Sequence, residues 1–247
     1  MKRALLFLAI PTMAWSQSVP DLIRKTDALD AKNRNAEALV VIQQADQLSP
    51  GNAEILYRLA KQKAQLMLDA KSSAERKQLG AEALDAAQRA VAADPKSAEA
   101  HLSLAIVYGR IAQDESARRK VELSRLIRDE AEIAAKLDPK EDYAWHVLGR
   151  WNYEMANFNA VLKALAQAIY GKFPDASNEK AVEYLEKAVA LRPDRVVHQI
   201  ELGRAYLAIG EKDKARAALE KGLSLPSLAK DDNETKERGR KALSQLN

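Results

Sequence analysis

The chain has 247 residues, no cysteine, only 9 glycines and a formal charge of +4. The missing cysteine excludes disulfides, thiol nucleophiles and thiolate metal sites. Charges of both signs alternate along the chain without a basic stripe, which excludes a nucleic-acid footprint, and no segment reaches the ~20 consecutive apolar residues that span a bilayer.

The first predicted element is an export signal. MKRALLFLAIPTMAWSQS starts with Lys2 and Arg3, continues with an apolar run from Ala4 to Trp15, and ends in the small residues Ala14 and Ser16 that suit cleavage before Gln17. Pro11 interrupts the run, which is too short for an anchor. Residues 1–16 therefore read as a signal peptide and 17–247 as the working domain, a protein exported by a bacterium to the periplasm or beyond. Without Lys2 and Arg3 the formal +4 falls to +2, so the basic pI overstates the charge of the mature chain.

The rest is repetitive. Pro50, Pro95, Pro139, Pro193 and Pro226 each follow an Ala-rich helical pattern, and a residue before proline is pushed out of the α region, which ends the helix. The spacings are 45, 44, 54 and 33 residues, against about 34 for a tetratricopeptide repeat. The shortest unit, from Pro193 to Pro226, shows the plan most clearly. Leu202, Gly203 and Tyr206 share one helical face, Ala215, Leu219 and Gly222 another, Gly210 stops the first helix and Asp213 is placed to start the second. In unit one Leu22 and Leu29 precede Ala38, Ile42 and Ala45, with Asn35 as a candidate cap. Units two and three keep helical periodicity through their extra residues, which predicts lengthened helices. Unit four adds Trp151, Tyr153 and Phe158, an aromatic cluster, and then NAVLKALAQAIYGKFPD, read as an inserted helix near 160–170 that stops at Gly171 and packs over these aromatics. A polar helix started by Asp231 or Asp232 closes the chain. The predicted fold is all-α, a right-handed α-solenoid of about five tetratricopeptide-like helix pairs with an inserted helix and a C-terminal capping helix.

The runs EALDAAQRAVAADPKSAEAHLSLAIVYGRIA, AWHVLGRWNYEMANF and FPDASNEKAVEYLEKAVALRPD, with the long insert after HVLGRW, resemble the regulator of microtubule dynamics family of tetratricopeptide-like proteins over roughly 53–240. The resemblance implies a helical scaffold without catalysis, associated with microtubules and, in some members, with organelle membranes and lipids. The chain departs from the eukaryotic pattern in its bacterial export signal and lack of a transmembrane anchor. An exported bacterial protein does not meet tubulin, so the resemblance transfers the scaffold and not that partner.

No catalytic signature is present: no G-x-S-x-G elbow, phosphate loop, H-E-x-x-H or cysteine nucleophile. The expectation is a non-enzymatic protein with no cofactor and no metal. His101, His146 and His198 recur in phase with the repeat and meet only if units stack. Binding is expected on the concave wall of first helices. There the row after the inward aromatic runs Ile23, Asp27, Asp30; Tyr57, Lys61, Ala64; Leu102, Ile106, Gly109; His146, Arg150, Tyr153; and Ile200, Arg204, Leu207. Its candidate ligand-binding residues are Tyr57, Lys61, Ile106, His146, Arg150, Tyr153 and Arg204. Arg150 and Arg204 hold the same place in consecutive units and can converge on one anionic group, their alternative neighbours being Glu154 and Glu201. The Lys/Asn clamp that resembling modules use for chaperone C-termini is absent, since its places hold Ile23, Asp27, Tyr57 and Leu102. Expected partners are a protein or peptide, or alternatively an acyl or phospholipid-like anion. The groove is either open or filled by the insert at 157–178.

Overall fold

The structure is a computed structural model that describes residues 18–246; the export signal read at 1–16 lies outside them. The described residues form twelve α-helices and a terminal 3-10 turn, with no strand, and ten of the helices form five antiparallel pairs. These are α1 (Val19–Asp30) with α2 (Asn35–Leu48), α3 (Ala53–Leu66) with α4 (Ser73–Ala93), and α5 (Ala98–Ala112) with α6 (Ala117–Leu137). The last two are α7 (Asp142–Ala156) with α9 (Asn178–Leu191), and α10 (Val196–Ala208) with α11 (Lys212–Ser224). The insert is α8 (Ala160–Tyr170) and the cap is α12 (Asp232–Leu243). The extra residues of units two and three lengthen α4 and α6 to 21 residues each.

Local chemistry sets these boundaries. The hydroxyls of Ser72, Ser97, Ser116 and Ser177 each accept the backbone N–H three residues on, satisfying a donor that the first helical turn leaves free. Ser177→Ala is expected to lower stability by about 0.5–2 kcal/mol, read from a denaturant midpoint. Gly210 takes φ +81° just past α10, the left-handed geometry that glycine adopts without strain. Two expected caps are not caps. Asn35 lies inside the first turn of α2, 3% exposed, and donates to Gln62 Oε1 at 2.9 Å and Asp30 Oδ1 at 3.2 Å, so its amide links units one and two. Asp213 also falls inside the first turn, and Glu211 holds the N-cap place of α11 without a side-chain cap hydrogen bond. Asp232 begins α12, and its Oδ2 instead accepts Leu228 N (2.8 Å) and Ala229 N (2.7 Å).

Each pair locks through small residues. Ala83, Ala87, Ala90, Ala131, Ala134, Ala181, Ala188 and Ala215 are fully buried on the second helices, where a methyl lets neighbouring backbones approach. Between units the chain turns through its prolines, and a repeated device closes the turn. Six residues after the proline a side chain donates to the proline carbonyl: His101 to Pro95 (3.1 Å), Trp145 to Pro139 (2.9 Å) and Gln199 to Pro193 (3.0 Å).

The insert packs on α6, a second helix, and so covers the outer layer rather than the concave face. Its Leu162, Leu165, Ile169 and Tyr170 cluster with Trp151, Met155, Phe158 and Val121. Tyr153, expected in that aromatic group, lies on another face of α7 against Ala181, Val182, Leu202 and Tyr206. The reason is angular: Trp151 and Tyr153 stand two residues apart, about 200° around a helix.

Candidate functional site

Stacking of units four and five brings the first helices α7 and α10 side by side, and their polar residues meet in two layers. The deeper layer starts at Asp142, 7% exposed in the first turn of α7. His198 Nε2 donates to Asp142 Oδ2 at 2.6 Å, and Arg195 Nε pairs with the same oxygen at 2.8 Å. His198 Nδ1 lies 3.1 Å from His146 Nδ1. Because the carboxylate can only accept, His198 carries its proton on Nε2 and accepts from His146 through Nδ1. Both rings are buried, at 0% and 1% exposure, and lie tilted by 30° with centroids 4.9 Å apart, with Tyr143 4.9 Å from His146. Burial pushes both imidazole pKa values down. It is opposed at His198 by Asp142, and reinforced at His146 by His198, Arg150, Arg195 and Arg238. At Asp142 burial raises the carboxyl pKa, but His198 and Arg195 outweigh it and hold the group below its ordinary value. The pair is therefore neutral near pH 7, and the line Asp142–His198–His146 is a structural joint between units.

The upper layer surrounds Glu201, 2% exposed on α10. Arg204 hydrogen-bonds it from the same helix, and Arg238 of α12 approaches within 3.5 Å. The Arg204 guanidinium also lies 4.7 Å above the Tyr153 ring, a cation–π contact. Arg150 stands beside this group and makes neither a hydrogen bond nor an ion pair with any described residue. Its side chain is exposed, and its charged neighbours are Glu201, Glu154 and Arg204. Burial works against its charge, but Glu201, Glu154 and Tyr143 favour it more strongly and raise its pKa.

Of the expected ligand-binding residues, Arg150, Tyr153 and Arg204 are together. His146 is corrected from a groove residue to a buried member of the joint, because the neighbouring first helix covers it. Tyr57 and Lys61 sit in separate contacts of units one and two. Lys61 pairs with Asp30 at 2.7 Å, while Tyr57 lies under Arg58 (4.7 Å), with burial pushing its hydroxyl up to about 12. Ile106 is half-buried against Leu102, Leu148 and Tyr143. Ile23, Ala64, Leu102 and Ile200, placed in the exposed row, are core residues, because stacking neighbours and α12 cover that side of the helices. Arg204, expected to lack a firm partner, is committed to Glu201. The residues missed were Asp142, Arg195 and Arg238. Asp142 had a signal, one turn before His146 on the same face, whereas Arg238 arrives only through the docking of α12. Among the described residues no group of three or more His, Asp or Glu side chains converges as a metal site.

The sequence model described as "Regulator of microtubule dynamics protein 1-3" matches residues 22–247. The chain belongs to the regulator of microtubule dynamics family. It is 25% identical over 217 residues to regulator of microtubule dynamics protein 3 of Xenopus laevis, covering 87% of this chain and 47% of that protein. To regulator of microtubule dynamics protein 1 of Bos taurus it is 27% identical over 252 residues, covering 94% of this chain and 79% of that protein. This family member thus spans about half of the first relative and about four fifths of the second. Among solved structures it is similar to TTC0263, a thermophilic TPR protein of Thermus thermophilus. The TM-score is 0.63 and the identity 23%, with 92% of this chain and all of that one covered, which fixes the tetratricopeptide-repeat fold. The relatives are regulators and repeat scaffolds, and the same helix-pair architecture serves this member.

Proposed function

We propose that this chain is a non-catalytic adaptor of the bacterial envelope that binds a protein or peptide partner on the concave face of its repeats. The observation that carries this reading is Arg150, an exposed guanidinium on a first helix that makes no hydrogen bond or ion pair with any described residue, next to the Arg204 that covers Tyr153. Such a group is placed to receive an anionic side chain or C-terminal carboxylate, and Tyr153, under the neighbouring Arg204 guanidinium, adds an aromatic ring. The residues 1–16 support export, and export separates this member from the microtubule partner that its relatives' names carry.

Arg150→Ala is expected to leave the melting temperature nearly unchanged, because no hydrogen bond or ion pair with a described residue is broken, while weakening an acidic peptide by about 1.5–3 kcal/mol per lost charged hydrogen bond. Arg204→Ala should behave oppositely and melt early, since it strips a partner from the buried Glu201 carboxylate. Crosslinking the parent and Arg150→Ala proteins to envelope extract, followed by titration of the recovered partner, tests this. Equal affinity for both proteins overturns the site. Lipid retained in native mass spectrometry of the purified protein would favour a carrier instead. A mature N-terminus at Met1 rather than Gln17 would overturn the compartment.

A further inference from the structure

Between α11 and α12 the chain leaves the helix at Leu225 in an extended conformation, has no regular structure over 226–228, and bends and turns at 229–231. This short strap touches three distant repeat units. Its Leu228 carbonyl accepts from Asn33 Nδ2 at 2.6 Å, just past the end of α1. Its Lys230 ammonium pairs with Asp69, just past the end of α3. Its Asp231 carboxylate accepts from Arg110 Nη2 at 3.0 Å, in the last turn of α5. The partners lie 195, 161 and 121 residues away, so one segment lies across the C-terminal ends of the first helices of units one, two and three.

The chemistry at each point suits an extended peptide rather than core packing. The last turn of a helix carries unsatisfied carbonyls and a partial negative charge, which favours an ammonium such as Lys230 next to Asp69. Arg110 is only 14% exposed and presents its charge to a single carboxylate. The strap itself is held by polar contacts alone: Leu228 is 65% exposed, and Pro226, Ser227 and Ala229 are exposed as well. A linker needed for the fold would bury its one large apolar side chain; this one leaves it in solvent. Its local shape is set from within, by Asp232 Oδ2 on the Leu228 and Ala229 amides, and does not depend on the far units.

We propose that the ends of α1, α3 and α5 form a docking surface for an extended segment carrying an adjacent basic–acidic pair, and that residues 226–231 are its internal occupant, displaced when a partner segment of that chemistry binds. This rests on the reading of the chain as a peptide-binding adaptor and adds the partner's charge pattern. The basic residue goes to Asp69, the following acid to Arg110, and a main-chain carbonyl two residues before the base to Asn33. A tethered strap holds its site at an effective concentration of about millimolar. A free segment therefore competes poorly until the tether's contacts are weakened.

The probe is a fluorescent peptide of residues 224–235, SLPSLAKDDNET, read by anisotropy against the full chain. In the released variant Lys230→Glu with Asp231→Lys, like charges face Asp69 and Arg110. It should bind the peptide saturably and at least tenfold more tightly than the parent, and adding Asp69→Ala and Arg110→Ala should abolish that binding. A second released variant replaces 227–231 by a Gly/Ser run of equal length and should behave the same way. Released variants that bind no better than the parent, or whose binding survives loss of Asp69 and Arg110, overturn the proposal. So does loss of helical circular dichroism in both, which would make the strap a structural brace. None of these outcomes touches Arg150, whose variant reports on the adaptor reading separately.

Discussion

Gly203→Ala and Gly149→Ala are each expected to lower stability by about 2 kcal/mol, the balance of two opposed effects. A Cβ at 203 would stand 2.6 Å from Leu219 Cγ and 3.1 Å from the Ala215 carbonyl oxygen; at 149 it would stand 2.5 Å from Leu185 Cγ and 3.2 Å from the Ala181 carbonyl oxygen. The branch carbon of a fully buried leucine and a helix backbone cannot both retreat, so the two helices of the pair must separate. Overpacking of this kind costs about 1–3 kcal/mol, toward the upper end at these distances, and alanine's better helix propensity returns up to about 1 kcal/mol. For a chain of this size the melting midpoint should fall by roughly 4–8 °C. Gly109 is the control. It lies inside α5, where an added Cβ meets only Ile127 Cδ1 at 4.0 Å. Gly109→Ala should therefore be neutral or stabilising by up to about 1 kcal/mol. If all three substitutions shift the midpoint alike in calorimetry, close approach of the pairs is not why units four and five carry glycine there.

These glycines mark how far the architecture is legible in residue order. Spacing between prolines and the Ala-x-x-x-Leu and Leu-Gly patterns report contacts within a pair, which are local in sequence, and so the five pairs, the inserted helix at Ala160–Tyr170 and the cap are legible. The concave row is not. Periodicity identifies the faces of a helix but not what covers them, and Ile200 shows the difference. Its spacing puts it on the groove, yet its Cδ1 would meet a Cβ placed on Gly222 of α11 at 2.7 Å or on Gly239 of α12 at 2.5 Å, and the second contact exists only once α12 has folded back. Arg204 departs from expectation for the same reason, since a buried Glu201 is visible only after α12 covers it. Arg150 makes no hydrogen bond or ion pair with any described residue, although Glu201 and Glu154 stand close enough to favour its charge. The strap from Pro226 to Asp231 leaves no periodic signal at all; it is legible only through its three partners.

Acidification below neutral pH is expected to destabilise the joint between units four and five more steeply than carboxylate protonation would explain. His146 and His198 are buried and neutral, with folded pKa values below the ordinary one, whereas the unfolded chain titrates them near ~6.5. The unfolded state then binds more protons than the native state at pH values between the folded pKa values and ~6.5, so stability rises with pH through that window. The contribution is fully present above ~6.5 and is lost as pH falls toward the folded pKa values, at up to about 1.4 kcal/mol per pH unit for each ring. Asp142 has the same sign at lower pH, because its depressed carboxyl pKa stabilises the fold above its ordinary value and loses that stabilisation on further acidification. The groups facing His146 oppose its protonation: His198, Arg150, Arg195 and Arg238 all disfavour its charge, with the Tyr143 ring tilted against it at 4.9 Å. Urea midpoints of the parent should climb between pH 5 and 6.5 and level off above 7. The double variant His146→Gln with His198→Gln should be weaker at pH 8, having lost the fit of the packed rings, yet nearly flat from pH 5 to 7. Asp142→Asn should lose about 1.5–3 kcal/mol at pH 8, because it replaces the charged acceptor of the buried His198 N–H by a neutral amide and the half-exposed Arg195 adds little, while keeping the steep acid limb, since both rings must still take up protons to unfold. A parent whose midpoint is as flat as the double variant's would mean that the imidazoles titrate alike in both states and that the joint carries no proton linkage.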